Sequence, residues 1–453
     1  MNSRFFPIIH RTNNYRNLFI GIDSPVPLRD GTSIPGVNFD NGATTPPLLS
    51  VMEEISRFAP HYGSVHRGTG YKSIISSEIY EQARKEVLRF VGGDYQRDTV
   101  IFVKNTTEAL NKLANRLYSK HKNGIVLTTW MEHHSNLLPW REKFKIDYID
   151  IDEQGRLKLD DLQTKLERYQ GLVKLVTVSG ASNVTGHRNH IHQIAEIAHR
   201  YGAKICVDGA QLVPHAPVNM GPSNYLGHID YLAFSGHKMY APFGAGVLIG
   251  PRETFEEGAP DYTGGGTARI VTPDRVIWYE APQREEAGTP NLMGVVALLA
   301  AIRTLTAIGM KRIQSHEEEL LAYTYEKLRW LGGLYFYGGI PLNKEQLSQR
   351  IGVISFNVAG MYHQDVAEFL AQEGGISVRN GCFCAQPYVQ RLLNISREQM
   401  EMHLYNPTLP QPGMVRLSFG LYNTKEEIDR LMDVLSKIVR KKTWSGAVAA
   451  PPH

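Results

Sequence analysis

Residues 231–250 read YLAFSGHKMYAPFGAGVLIG. Two apolar runs, "YLAF" and "GAGVLIG", flank a polar turn that holds Ser235, His237 and Lys238. Both runs have the look of buried strands, so an ammonium group stands between two buried segments. A lysine is seldom buried unless it is paired or chemically used. A lone loop lysine that points into solvent is the commoner case. The rest of the chain decides between the two.

Outward from that turn, short apolar runs recur: "TVIFV" (99–103), "GIVLTT" (124–129), "LVKLVTVSG" (172–180) and "KICVDGA" (204–210). Segments of helical spacing separate most of them. In "IHQIAEIAHRYG", Ile191, Ile194, Ala198 and Tyr201 fall on one stripe, and Gly202 closes the helix. Near-continuous apolar strands alternating with helices predict an α/β fold with a mostly parallel sheet covered on both faces. Such sheets take their ligands at the carboxyl ends of the strands. From about residue 301 the pattern changes to a long helical stretch, "HEEELLAYTYEKLRWL", a strand "IGVISFNVAG", and "HQDVAEFLAQEGGISVRNGCFCAQP". This reads as a smaller α+β domain. The expected division is a segment packed on the body (1–37), a large domain (38–300), a small domain (301–440) and a disordered tail (441–453).

Length and composition narrow the classes. The 453 residues suffice for roughly two to four domain-sized units. The net charge of +4 carries no basic run, which argues against a nucleic-acid binder. No stretch reaches the roughly 18 apolar residues of a membrane span. Three cysteines make no disulfide framework, so a reducing compartment, the cytoplasm, is expected. The N-terminus is basic and has no acid before Asp23, as in a transit peptide, but Pro7 and "RTNN" break its apolar residues.

Several strands end in reactive groups. "VDGAQ" places Asp208 and Gln211 just past one strand, and "SGHK" places Ser235, His237 and Lys238 past another. "KNTTEALN" puts Thr106 and Thr107 where a helix begins, and hydroxyls with free backbone N–H groups suit a phosphate. A carboxylate, a lysine and a phosphate cradle on one sheet edge are the parts that pyridoxal phosphate needs. Taken singly, Asp208, Thr106 and Thr107 could each be plain capping residues.

Ten ordered motifs carry a family resemblance: "NFDNGATTPP", "GSVHRGTG", "NTTEALN", "MEHHSNLLPW", "VSGASNVTG", "VDGAQLVPH", "FSGHKMYAPFGAG", "EAGTPN", "VRNGCFCAQP" and "VRLSFGLYNTKEEID". Over about residues 38–430 the chain resembles the class V, fold-type I pyridoxal-phosphate enzymes, and among them the cysteine desulfurases and selenocysteine lyases. The resemblance implies a mostly parallel seven-stranded sheet in the large domain, and it implies roles by motif. Lys238 resembles the Schiff-base lysine, and Ser235, His237, Thr106 and Thr107 resemble phosphate ligands. Asp208 would pair with the pyridine nitrogen and Gln211 would bond the ring oxygen. His133 is preferred to His134 as the imidazole stacked on the ring. Gly288 and Thr289 resemble residues that reach the neighbouring subunit's phosphate, which implies a homodimer. Asn183 and Arg416 resemble the groups that bind the substrate carboxylate, with Arg379 and His66 also assigned to the substrate.

The segment "RNGCFCAQP" bears on the reaction. Cys206 reads as a small buried hydrophobe. Cys382 and Cys384 lie in a Gly-Asn loop beside Arg379, where a cation would favour a thiolate. A lone C-x-C lacks the other ligands of a structural zinc site, so no metal is expected. One group of cysteine desulfurases carries arginine, any residue, glycine, two histidines, cysteine and alanine here. On that pattern the family's cysteine falls at Cys384, while Cys382 and Phe383 replace the histidines. The "GCFC" form also resembles the loop of molybdenum-cofactor sulfurases. The implied activity is conversion of L-cysteine to L-alanine with a persulfide on Cys384, passed to a sulfur-acceptor protein. Other readings are a C–S β-lyase or selenocysteine lyase, a class V epimerase or aminotransferase, and a sulfur-trafficking partner without turnover.

Overall fold

Every strand of the central sheet is built from one of the apolar runs or lies between them. In the computed structural model, which describes residues 15–406 and 408–443, they are β1 (Asp98–Val103), β2 (Ile125–Thr129), β3 (Lys145–Ile149), β4 (Val173–Ser179), β5 (Lys204–Asp208), β6 (Tyr231–Ser235) and β7 (Gly246–Pro251). Their order across the sheet is β1-β7-β6-β5-β4-β2-β3. β2 to β6 pair in parallel, and β7 runs antiparallel to both neighbours, β1 and β6. β1, β2, β6 and β7 are buried throughout, which explains runs without alternation.

β7 aligns two ends of the site. Gly246 pairs with Val103 on one side and Ser235 on the other. The start of α1 (Thr106–Lys120) thereby comes to lie over the end of β6. A Cβ on Gly246 would stand 2.5 Å from the Asn105 Cα, so only glycine permits this approach. Between β4 and β5, α2 (Ile191–Arg200) buries Ile191, Ile194, Ala195 and Ala198, and Gly202 follows at a φ of 73°. α3 (Leu292–Ile308) is apolar almost all round and runs through residue 301, so the large core continues to Ile313 and also takes in Ile351, Val353, Leu421 and Tyr422.

A second core lies under an antiparallel sheet in the order β8-β9-β11-β10, formed by β8 (Leu334–Tyr337), β9 (Val353–Val358), β10 (Arg379–Gly381) and β11 (Met414–Ser418). α4 (Met310–Leu328), α5 (His363–Gly374) and α6 (Lys425–Thr443) supply Leu320, Leu370 and Leu431 to it. Val37 and Phe39 also belong to this second core. Ahead of them, Phe19 packs its ring 4.9 Å from Tyr240 and 5.0 Å from Tyr422. The expectations for residues 1–14 and for the tail from residue 444 lie outside the described residues. No single described helix is long and apolar enough to cross a membrane.

Candidate active site

A cleft of about 350 Å3 opens at the carboxyl ends of the parallel strands, with β11 and the cysteine loop as its far wall. One end is made for an anion. Asn105 caps α1 by accepting from the Glu108 N–H at 3.0 Å. The Thr106 N–H donates to Ser235 Oγ at 2.8 Å, and the two hydroxyls are 2.7 Å apart. Thr107 Oγ1 lies 2.7 Å from Ser135 Oγ. His237 borders the same corner; burial, then the Lys238 charge, pushes its imidazole down to about 4. A helix N-terminus ringed by hydroxyls and a neutral imidazole is an electrically favourable seat for phosphate.

Lys238 stands next to that corner on a single helical turn, Gly236–Lys238, directly after β6. Thr45 fixes the turn through its N–H and its hydroxyl, both donating to the His237 carbonyl at 3.1 and 2.9 Å. Burial lowers the Lys238 ammonium to about 8; the Asp208 and Cys384 charges oppose that fall, and Arg416 adds to it. Asp208 ends β5 and accepts from the Ala210 N–H at 2.9 Å; burial raises its carboxyl. Gln211 donates to the Gly42 carbonyl at 2.7 Å and keeps Oε1 buried without a partner. His133 is held neutral, at about 3, by burial and by Lys238, His134 and Arg416. Its Nδ1 accepts from the Ser135 N–H at 3.1 Å, which sets the ring at the cleft wall.

The other end is cationic. Arg416, buried in β11, donates to the Asn183 carbonyl at 3.0 Å and meets Asp40 Oδ1 at 3.3 Å. Its Nε is buried without a partner, and burial lowers the guanidinium to about 10. Arg379 Nη2 grips the other oxygen of Asp40 at 2.6 Å. One carboxylate thus holds both arginines, and the Phe383 ring lies 5.0 Å below the Arg416 Cζ.

Cys384 is exposed and lines the cleft, whereas Cys382 is half-buried against an apolar cluster with Val184 and Tyr388. Cys206 is fully buried, and burial raises its thiol. Phe383 and Cys384 are consecutive left-handed residues, with φ of 54° and 55°. Asn183 Nδ2 donates to the Phe383 carbonyl at 2.7 Å, and the His134 N–H donates to the Cys384 carbonyl at 2.7 Å. The Gln386 N–H donates to His134 Nε2 at 3.2 Å.

The fold therefore gathers Thr106, Thr107, His133, Asn183, Asp208, Gln211, Ser235, His237, Lys238, Arg379, Cys384 and Arg416 around one cleft. Gly288 and Thr289 are exposed and stand outside it. His66 is also outside, with Nε2 2.9 Å from Glu81 Oε1. The Arg379 fork faces Asp40, a partner the sequence reading did not foresee. Asp40 and Ser135 stand outside the sequence expectations, and His134, passed over there in favour of His133, holds the cysteine loop instead. Ser135 follows His133 by two residues, a spacing that lets its N–H reach the ring. Asp40 sits more than 330 residues from either arginine, and local sequence gives no signal of such a pair.

The chain is similar to known proteins over most of its length. Residues 37–431 match the Aminotransferase class-V family model. A probable cysteine desulfurase of Synechocystis sp. is 35% identical over 92% of this chain and 94% of its own length. A cysteine desulfurase of Haloferax volcanii is 34% identical over 95% and 94%. Among solved structures, the apo cysteine desulfurase of Thermococcus onnurineus NA1 superposes with a TM-score of 0.79 at 36% identity, covering 90% of this chain and 95% of that one. The Escherichia coli cysteine desulfurase CsdA, in an S-sulfonic acid form, gives 0.76 at 28% identity, covering 94% and 98%.

Proposed function

We propose how this chain works from the premise that it belongs to the class-V aminotransferase family and, within it, to the cysteine desulfurases. It converts L-cysteine to L-alanine and keeps the sulfur as a persulfide on Cys384. The observation that carries the reading is one cleft holding an amine lowered to about 8, an exposed thiol and a buried arginine fork.

The residues present fit pyridoxal phosphate. The α1 N-terminus with Thr106, Thr107, Ser235 and His237 suits its phosphate, and Asp208 suits a protonated ring nitrogen. Gln211 Oε1, buried and unpartnered beside the cleft, leaves a polar atom for a bound group. When bound, pyridoxal phosphate supplies an aldehyde for the substrate amine and a ring that accepts the electron pair released at Cα. The protein supplies the rest. Arg416 receives the substrate carboxylate through its planar fork. Lys238 Nζ, lowered to about 8 and so able to shed its proton just above neutral pH, takes the proton from Cα and later returns one. His133, being neutral, offers a flat ring face without placing a second positive charge beside Lys238. Cys384 Sγ, as thiolate, attacks the substrate sulfur. The new S–S bond forms as the substrate C–S bond breaks, so cysteine and one protein thiol yield alanine and one protein persulfide.

Exposure of Cys384 also supports onward transfer to an acceptor protein. Gly288 and Thr289, exposed beyond their own cleft, support a homodimer in which they complete the partner's phosphate corner. His66 packs edge-on against Tyr80, whose hydroxyl bonds Glu286 two residues before Gly288, which supports a role for it beside that shared boundary. The test is turnover of L-cysteine followed by alkylation and peptide mapping. The expected outcome is alanine in the medium and one extra sulfur on Cys384. Cys384→Ala should bind cysteine, form no persulfide and release no alanine. Full alanine and sulfide production by that variant would instead identify a lyase.

A further inference from the structure

Far from the cleft, α2 and the segment 225–230 bring three side chains together. The ligating atoms of His199, His228 and Asp230 lie within 4.8 Å of one another. His199 Nε2 is 2.7 Å from Asp230 Oδ2, and His228 Nε2 is 3.6 Å from Asp230 Oδ1. The two imidazoles stack with centroids 4.4 Å apart. Asp230 is buried, and its Oδ2 also accepts from the Ile205 N–H at 2.9 Å.

The other ring nitrogens decide what this cluster can hold. His199 Nδ1 meets the Leu226 carbonyl at 2.5 Å, and His228 Nδ1 meets the Tyr225 carbonyl at 2.6 Å. A carbonyl oxygen only accepts, so each Nδ1 carries a hydrogen. A neutral imidazole with its hydrogen there presents a lone pair at Nε2. Two such lone pairs then converge on a carboxylate that has only lone pairs to offer. Three acceptors aimed at one small space need something positive between them, either a second proton on the rings or a shared cation. An Nδ1–H bonded to a backbone carbonyl is also the contact that orients metal-bound histidines. Arg97 forks onto Asp98 and donates to the Ile229 carbonyl; its charge is felt by Asp230, but its hydrogen bonds go elsewhere.

We propose that His199, His228 and Asp230 form a binding site for a zinc-like divalent cation, with water as the fourth ligand. Bond lengths of about 2.0–2.2 Å in a tetrahedral site place ligand atoms about 3.3 Å apart. The observed 2.7 and 3.6 Å lie on either side of that spacing. The site is structural: it ties the end of α2 to the segment leading into β6, at the edge opposite the strand ends that build the cleft. No metal was expected from the cysteines; His228 and Asp230 are two positions apart, but His199 stands 29 residues upstream, so the three make no compact ligand motif.

The experiment uses the whole protein, stripped with a chelator and titrated with cobalt(II) and zinc(II). One equivalent of metal per chain is expected, with visible d–d absorption and no thiolate-to-cobalt charge-transfer band. Binding should persist in the Cys382→Ala, Cys384→Ala double variant. It should weaken at least about 100-fold in His228→Gln, whose ring is partly exposed. His199→Gln serves as the second ligand variant, with circular dichroism of each to establish folding. Failure to bind metal, or binding unchanged in both folded ligand variants, would overturn the site and leave protonated imidazoles as the occupant's substitute. A charge-transfer band that vanishes with the cysteines would overturn it equally.

Discussion

The turn that carries Lys238 and the loop that carries Cys384 face the same cleft, but different forces hold them. Lys238 follows a buried strand in register with its neighbours, and Thr45 fixes the turn by bonding the His237 carbonyl. Its backbone needs no unusual conformation. Cys384 follows Phe383 in the left-handed region, which costs non-glycine residues on the order of 1–3 kcal/mol each. That loop keeps its shape because groups on the large domain, Asn183 and His134, bond its carbonyls and the Gln386 N–H. The amine is thus positioned by regular structure, and the thiol by side chains and backbone reaching over from the other domain. Chemistry at Cα is expected to be rigid, and sulfur transfer sensitive to how the two domains meet.

The largest break in this comparison should come at the amine. Lys238→Ala removes the group that moves the Cα proton, and alanine formation should fall by about 10^3-fold. Added methylamine should restore part of it in a saturable way, since a free base can enter a cleft of this size. Activity of Lys238→Ala within tenfold of the native protein would show that another group is the base. In the native protein the rate should rise as pH approaches about 8, because the buried amine sheds its proton over that range.

A smaller effect should separate the loop from the turn. His134→Ala leaves the Gln386 N–H without its partner, a loss of about 1 kcal/mol. Persulfide formation should drop about fivefold, and alkylation of Cys384 should quicken as the loop loosens. Cofactor absorbance should not change. Equal loss of cofactor and persulfide would mean that the two regions are one mechanical unit.

The same contrast explains what could be read beforehand. Fully buried strands such as β2 and β6 write themselves as apolar runs, and reactive groups at their ends follow from strand polarity. Lys238, Asp208, Thr106 and Ser235 were therefore legible. The insertion of β7 between β1 and β6 was not, because an apolar run does not state its direction or its neighbours. Asp40 was invisible for a related reason: its two arginine partners lie in other elements, 339 and 376 residues further along the chain. The bond from Asn183 to the Phe383 carbonyl depends on a left-handed pair of residues, and neither is glycine. His66 matches a family motif, yet in this fold its ring turns toward Glu81.

The smallest effect should arise at a group that stands behind both regions. Glu132 precedes the two histidines, of which His133 faces the cleft and His134 holds the loop. It is buried and accepts from Thr129 Oγ1 at 2.6 Å, Asn136 Nδ2 at 2.6 Å, Ser179 N at 3.0 Å and Ser179 Oγ at 2.7 Å. Burial raises its carboxyl to about 7, and these four bonds only partly oppose the rise. Between its ordinary value of 4.5 and about 7, the folded protein keeps a proton that the unfolded chain has lost. Its contribution to stability is therefore full below 4.5, fades as pH rises through about 7, and is constant above that. The change amounts to an order of 3 kcal/mol. Glu132→Gln cannot titrate, and its amide nitrogen meets the Asn136 N–H group, at a cost of about 1–3 kcal/mol at every pH. Melting curves from pH 4.5 to 7.5 should show the native protein ahead at the acid end and its lead shrinking steadily. Turnover at neutral pH should change no more than about threefold, since neither histidine loses a ring contact. Melting profiles that run parallel would place the Glu132 proton outside this range and remove the carboxyl as a link between turn and loop.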